Sequence, residues 1–191
     1  MKEEHFFDEI TEHKKKKRPY SLVSYTTDWN DKFEEIKKTL EEVFRGKAMK
    51  IVHVGSTAIP EIKAKPIVDI LLIVPDVQDL VEEKEKMVGL GYEYQDNYIQ
   101  EGTTTFWKSE DNDQKTQNIH VCFEGSEEAR HFIEVTSYLK EHPEKAKEYE
   151  DLKIKLNEQH PNDYPAYRKG KNGYLKELEV IAKEWWKAKT N

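Results

Sequence analysis

Two kinds of hydrophobic spacing alternate along this chain. From about Trp29 to Phe44, apolar residues recur at helical spacing at Phe33, Ile36, Leu40 and Val43–Phe44, and Thr27 or Asp28 stands where an N-terminal cap belongs. Shorter runs follow. "MKIVHVG" reads as a strand. "PIVDILLIV", bounded by prolines and rich in β-branched residues, reads as a second, centrally placed strand with both faces covered. "YSLVSY", ahead of the first helix, is a short strand candidate. A helix over "VQDLVEEKEKMVGLG" closes at a glycine cap. Then "YEYQ", "TTTFWKS" and "QNIHVCFEG" predict three strands, the last two joined as a hairpin through "EDNDQK".

From Ser126 onward the period is helical. Three helices are predicted, divided by His142-Pro143 and by His160-Pro161 with Pro165. Ala146, Tyr149, Leu152 and Leu156 make one stripe; Tyr174, Leu175, Leu178, Ile181 and Trp185 make another, and both are expected in the core. The order of elements predicts an α/β fold with a small mixed sheet flanked by helices. No repeat or flexible linker interrupts it, so residues 19–191 are expected to form one domain behind a charged extension over residues 1–18. A chain of 191 residues is long enough to bury roughly 70% of its unfolded surface.

Composition adds exclusions. Charged residues make up 36% of the chain and the net charge is −7, which argues against a general binder of duplex nucleic acid. The basic run Lys14–Arg18 is balanced by the acidic "EEHFFDEI" upstream and reads as a solvated extension rather than an RNA or lipid arm. No run approaches the ~20 apolar residues of a membrane span, and "MKEEHFFDEI" lacks the order of a secretory signal. A cytoplasmic protein without membrane contact is expected. A single cysteine, Cys122, excludes an internal disulfide and a four-cysteine zinc site.

The charge that does not fit its surroundings is Asp69. Inside an apolar strand an unpaired carboxylate would be driven toward its neutral form. Alternation puts Asp69 and Leu71 on one face, Val68 and Ile70 on the other. Either a salt bridge to Lys65 or an arginine holds the charge, or the strand opens into a site with a cation or solvent. Gly55-Ser56, with Thr57 next, is a turn able to offer N–H groups and hydroxyls to a phosphate, and equally an ordinary strand-end turn. Lys65, extended before Pro66, is placed to reach a phosphate held there. His53 and His120 are candidate acid–base residues, with buried hydrogen-bonding histidines as the alternative.

A glycine-serine pair, about a dozen residues, then an aspartate in an apolar strand resembles the signature of the nucleotidyltransferase superfamily. More closely, "HVGSTAIPEIKAKPIVDI" resembles the signature of the GrpB family (UPF0157), a group assigned to that superfamily. "SYTTDWNDKFEEI", "NIHVCFEGSEEARHF", "YLKEHPEKAKEYEDLK" and "YRKGK" extend the resemblance over nearly the whole chain from about residue 20. It implies a nucleotidyltransferase-type sheet with C-terminal helices closing a cleft, and a nucleotide or other phosphorylated small molecule as ligand. It further implies Ser56 on the phosphate, Arg130 and Lys171 neutralising it from across the cleft, and Asp69 as a ligand of magnesium or manganese. Active superfamily members hold two such ions on two carboxylates separated by one residue and a third on a neighbouring strand. Here Leu71 fills the second position, Asn118 and His120 stand on the later strand, and Thr136-Ser137 replace the family's Arg-Asp pair before "YL". Five outcomes stay open after those departures. The chain transfers a nucleotidyl group on a reduced metal site, binds a ligand without turnover, runs another reaction through His53 or His120, holds a softer metal on Asp69 with histidines, or is a non-catalytic interaction module. In some relatives such a domain is fused to dephospho-coenzyme-A kinase.

Overall fold

A computed structural model describes residues 21–110, 114–161 and 163–190. The first helix, α1 (Asp28–Val43), buries Trp29, Ile36 and Leu40 on one stripe. Its start differs from the expectation. Thr27 occupies the cap position without a side-chain bond, and Thr26 Oγ1 instead accepts the Asp28 N–H at 3.3 Å. Of "YSLVSY", the described residues 21–25 yield only an antiparallel bridge between Val23 and Ala64, too little pairing to make a strand.

Five strands form one sheet: β1 (Lys50–Val54), β2 (Val68–Val74), β3 (Glu93–Asp96), β4 (Thr104–Ser109) and β5 (Lys115–Phe123). Their order across the sheet is β1-β2-β5-β4-β3, with β2 and β5 parallel and the other neighbours antiparallel. The predicted hairpin is therefore present; residues 111–113 of its turn, like the basic run Lys14–Arg18, lie outside the described residues. The apolar β2 lies between two neighbours and is buried at every position except Asp69. Helix α2 (Val81–Gly89) precedes Gly91, whose φ of +84° is the left-handed conformation that glycine supplies at a helix end.

Register fixes what each face carries. Val54, Asp69 and Asn118 stand in line across β1, β2 and β5, and the next row is Val52, Leu71 and His120. On this face Val54, Leu71, Ile73 and Cys122 pack against Ala129, Phe132 and Ile133 of α3 (Glu127–Glu141). Residues of the opposite face, Val68, Ile70, Leu72, Ile119 and Val121, join α1 and α2 in the largest core. Helix α3 starts with Ser126 Oγ accepting the Ala129 N–H at 3.2 Å.

The breaks between the last helices fall where the prolines stand. Helix α4 (Pro143–Gln159) has its proline in the first turn, where no intrahelical N–H is needed, and α5 (Tyr164–Thr190) runs for about 40 Å. Ala146, Tyr149 and Leu156 are buried as expected. The α5 stripe differs at one place: Ile181 is 47% exposed and Ala182 is fully buried. The buried positions Leu178 and Ala182 are one turn apart, which rotates Ile181 outward. A third cluster joins α3, α4 and α5 to Ile59 and Ile62, in the segment between β1 and β2. Among the described residues no helix is long and apolar enough to cross a membrane.

Candidate functional site

Asp69 sits at the start of β2 with its side chain 27% exposed. Asn118 Nδ2 donates to its Oδ1 at 2.9 Å, and His120 Nε2 lies 3.4 Å from the same oxygen. Burial pushes the carboxyl upward. The His120 and Asn118 contacts and the charge of Lys171 outweigh it, so the carboxyl is held below its ordinary value. An ionised acceptor makes Nε2 the protonated nitrogen of His120. The His120 ring stacks on Phe132 with centroids 4.7 Å apart, and its Nδ1 is buried without a hydrogen-bond partner.

Gly55 approaches the other carboxylate oxygen. Its φ is +71°, and a Cβ there would stand 2.9 Å from Asp69 Oδ2, so both the backbone and the space call for glycine. The turn offers less to a ligand than its sequence suggests. The Gly55 N–H donates to Thr136 Oγ1 at 3.1 Å. Thr57 is 1% exposed, and its hydroxyl donates to the Ile67 carbonyl at 3.1 Å. Ser56 is half-buried, and among the described residues its hydroxyl makes no hydrogen bond.

His53 is not brought to this site. Register places it opposite Ile70, on the α1 face of the sheet, where it stacks on Phe33 at 5.1 Å. Its Nε2 lies 3.0 Å from Thr57 Oγ1. Because that hydroxyl's proton goes to Ile67, Nε2 is the donor. Arg130 is also elsewhere. It is 54% exposed, 3.9 Å from Glu127, and six residues, about 9 Å of helix axis, before Thr136. Helix α3 runs back from the far end of β5, so its first turn lies away from Gly55.

Cations do reach Asp69, Lys65 from the segment before β2 and Lys171 from α5, and Lys153 of α4 stands behind them within the field of Lys171. Lys65 Nζ lies over the rings of Tyr164 and Tyr167, 4.5 and 4.9 Å from their centroids. Burial first, then the charge of Lys171, pushes its ammonium down to about 6, with Lys153 and Arg168 adding to the drop and Asp69 opposing it. Lys153 is 2% exposed. Its Nζ donates to the Lys63 carbonyl at 2.5 Å and lies 4.7 Å from the Tyr149 ring. Burial and then Lys171 lower it to about 7, against Glu150. Lys171 is held above its ordinary range, by Tyr149 first and also by Tyr164 and Asp69. Glu150 secures the same corner by accepting the Lys63 N–H at 2.6 Å.

Of the residues singled out in the sequence, Asp69, His120, Lys65 and Lys171 lie in one neighbourhood, together with Lys153, Arg168 and the tyrosines, which the sequence reading did not single out as site residues. A signal for Lys153 was present, since it falls between Tyr149 and Leu156 on a helical apolar stripe, where a cation is out of place. The donor set does not suit the implied magnesium or manganese. Asp69 Oδ1 already carries two partners, Leu71 is fully buried among apolar residues, and no group of three metal-ligating side chains occurs among the described residues.

The family description "GrpB protein" matches residues 19–180. The chain is 33% identical over 175 residues to the UPF0157 protein YqkA of Bacillus subtilis, covering 92% of this chain but 50% of that one, so it spans half that relative's length. It is 33% identical over 160 residues to the glutamate-rich protein GrpB of Alkalihalophilus pseudofirmus, covering 82% and 92%. The crystal structure of conserved protein GrpB from Enterococcus faecalis superposes with a TM-score of 0.81 at 28% identity, over 87% of this chain and 99% of that one. A structure of the Cid1 poly (U) polymerase bound to MgATP superposes at 0.52 with 12% identity, over 90% and 53%, a likeness of fold alone.

Proposed function

The chain belongs to the GrpB family and has a nucleotidyltransferase-like fold, and from that premise we propose that it binds a phosphorylated small molecule, a nucleotide foremost, at the Asp69 end of the sheet. The observation that carries this is a group of lysines around one ionised carboxylate: Lys65, held over Tyr164 and Tyr167, and Lys171 both feel the charge of Asp69, and buried Lys153, tied to the Lys63 carbonyl, feels that of Lys171. Burying like charges together costs stability unless an anion offsets it. A bound phosphate supplies that anion, and it stabilises the folded chain by mass action. Ser56, at the glycine turn beside Asp69, is the remaining hydroxyl for it.

Binding is favoured over nucleotidyl transfer, because transfer in this fold runs on a carboxylate set that Leu71 and Asn118 do not supply. The second possibility is a non-catalytic interaction module. Supporting it, Gly55 N–H and the Thr57 hydroxyl are already used inside the protein. Isothermal titration of the folded chain with ATP, GTP, CTP and UTP, with and without magnesium or manganese, separates the two. At least one nucleotide is expected to give saturable heat that Lys171→Met weakens about tenfold. Silence with all four, in a sample that melts cooperatively, would replace the ligand assignment with the module.

A further inference from the structure

Two lysines, Lys65 and Lys171, feel the charge of Asp69, and a third, Lys153, feels that of Lys171. Lys65 Nζ is held between two tyrosine rings, at 4.5 and 4.9 Å. Lys153, 2% exposed, is tied to the Lys63 carbonyl and to Tyr149. Lys171 lies near Tyr149, Tyr164 and Asp69. They come from three separate stretches: the segment before β2, helix α4 and helix α5. Positions brought together from so far apart in the chain could have been filled by apolar residues, which bury at no electrostatic cost.

Resting on the ligand assignment just made, we propose that this site holds phosphate groups without a divalent metal, Lys65, Lys153 and Lys171 supplying the positive charge and the tyrosine rings fixing where it stands. Ammonium groups neutralise phosphate as point charges and need no carboxylate relay. The proton balance gives the arrangement a signature. Burial and mutual repulsion hold Lys65 at about 6 and Lys153 at about 7. The groups facing Lys65 are Lys171, Lys153, Arg168 and Asp69, with Tyr164 and Tyr167; those facing Lys153 are Lys171, Glu150 and Tyr149. An anion arriving between them favours the charged amines, so near neutral pH its binding draws protons from solution.

The experiment is isothermal titration of the full chain with inorganic pyrophosphate and with ATP, first in EDTA and then in excess magnesium or manganese. Each titration is repeated in buffers of different ionisation enthalpy. Binding in EDTA is expected, with proton uptake at about pH 7.5. Lys153→Met, checked by a cooperative melt, is expected to weaken pyrophosphate about tenfold and to reduce the uptake. Should that variant not fold, Lys65→Met serves the same purpose at a half-exposed position. Binding of ATP alone marks a nucleoside requirement within the same metal-free site. Binding only in the presence of a divalent ion overturns the metal-free assignment while leaving the ligand assignment standing. No binding in any condition overturns both. Binding in EDTA that both lysine variants leave unchanged removes the lysines from the site.

Discussion

His53 and Asp69 are both polar residues in apolar strands, and the sheet treats them oppositely. Asp69 faces α3 and stays charged. His53 faces α1, and burial first, then the charge of Lys140, lowers it to about 4 against a small pull from Asp69. An unfolded histidine titrates near 6.5, so as pH falls the unfolded chain takes up the proton first. Neutral His53 therefore contributes its full share of stability above about pH 6.5 and loses it as pH falls toward about 4. The loss is bounded at ~3 kcal/mol from this residue. Urea midpoints at pH 7 and 4.5 are expected to fall for the native chain and to fall less for His53→Gln; parallel declines in both would remove His53 as the cause. The sequence carried the alternation around His53 but not which face α1 would cover. Nor could it show that Thr57, four residues later and past the Gly55 turn, would be its partner instead of a ligand's.

The seam between α4 and α5 depends on Gly170. A Cβ there would meet Leu156 Cδ2 at 2.5 Å and Cδ1 at 3.2 Å, so the glycine lets the two helices approach where Lys153 and Lys171 face each other. Gly170→Ala gains up to about 1 kcal/mol of helix propensity and incurs about 1–3 kcal/mol of overpacking. The expected result is a net loss of about 0–2 kcal/mol of stability together with weakened pyrophosphate binding, read from a denaturant curve and a titration on the same sample. Affinity unchanged at reduced stability would show that the seam does not set the lysine geometry. At this scale most of the fold was legible. The proline breaks, the hairpin and the buried strand β2 all stand where spacing put them. Ile181 was not, because Val180, Ile181 and Ala182 are consecutive apolar residues and only tertiary packing chooses among them. Lys153 was marked only by its place on the apolar stripe of α4, a signal easily passed over because a lysine in so charged a chain reads as solvated until the helix opposite is known.

The sheet has one core under α1 and α2 and a smaller one under α3, and a separate core lies among α3, α4 and α5, where Lys153 meets Tyr149. Repulsion among the lysines acts across the junction of α4 and α5 with the segment before β2, so this junction is expected to open more readily than the sheet. Amide hydrogen exchange of the ligand-free chain is expected to be faster in α4 and α5 than in β2 and β5, and pyrophosphate is expected to slow it there by at least about tenfold. Uniform exchange with no ligand effect would mean the charges are already balanced within the protein. The separation of Asp69 from Lys171 along the chain bears also on biogenesis. About a hundred further residues must leave the ribosome before the carboxylate meets its last cation, an interval of roughly 5–20 s at ordinary synthesis rates. Until then the carboxylate has to do without that charge, and its neighbour strand β5 is itself made only midway through the wait.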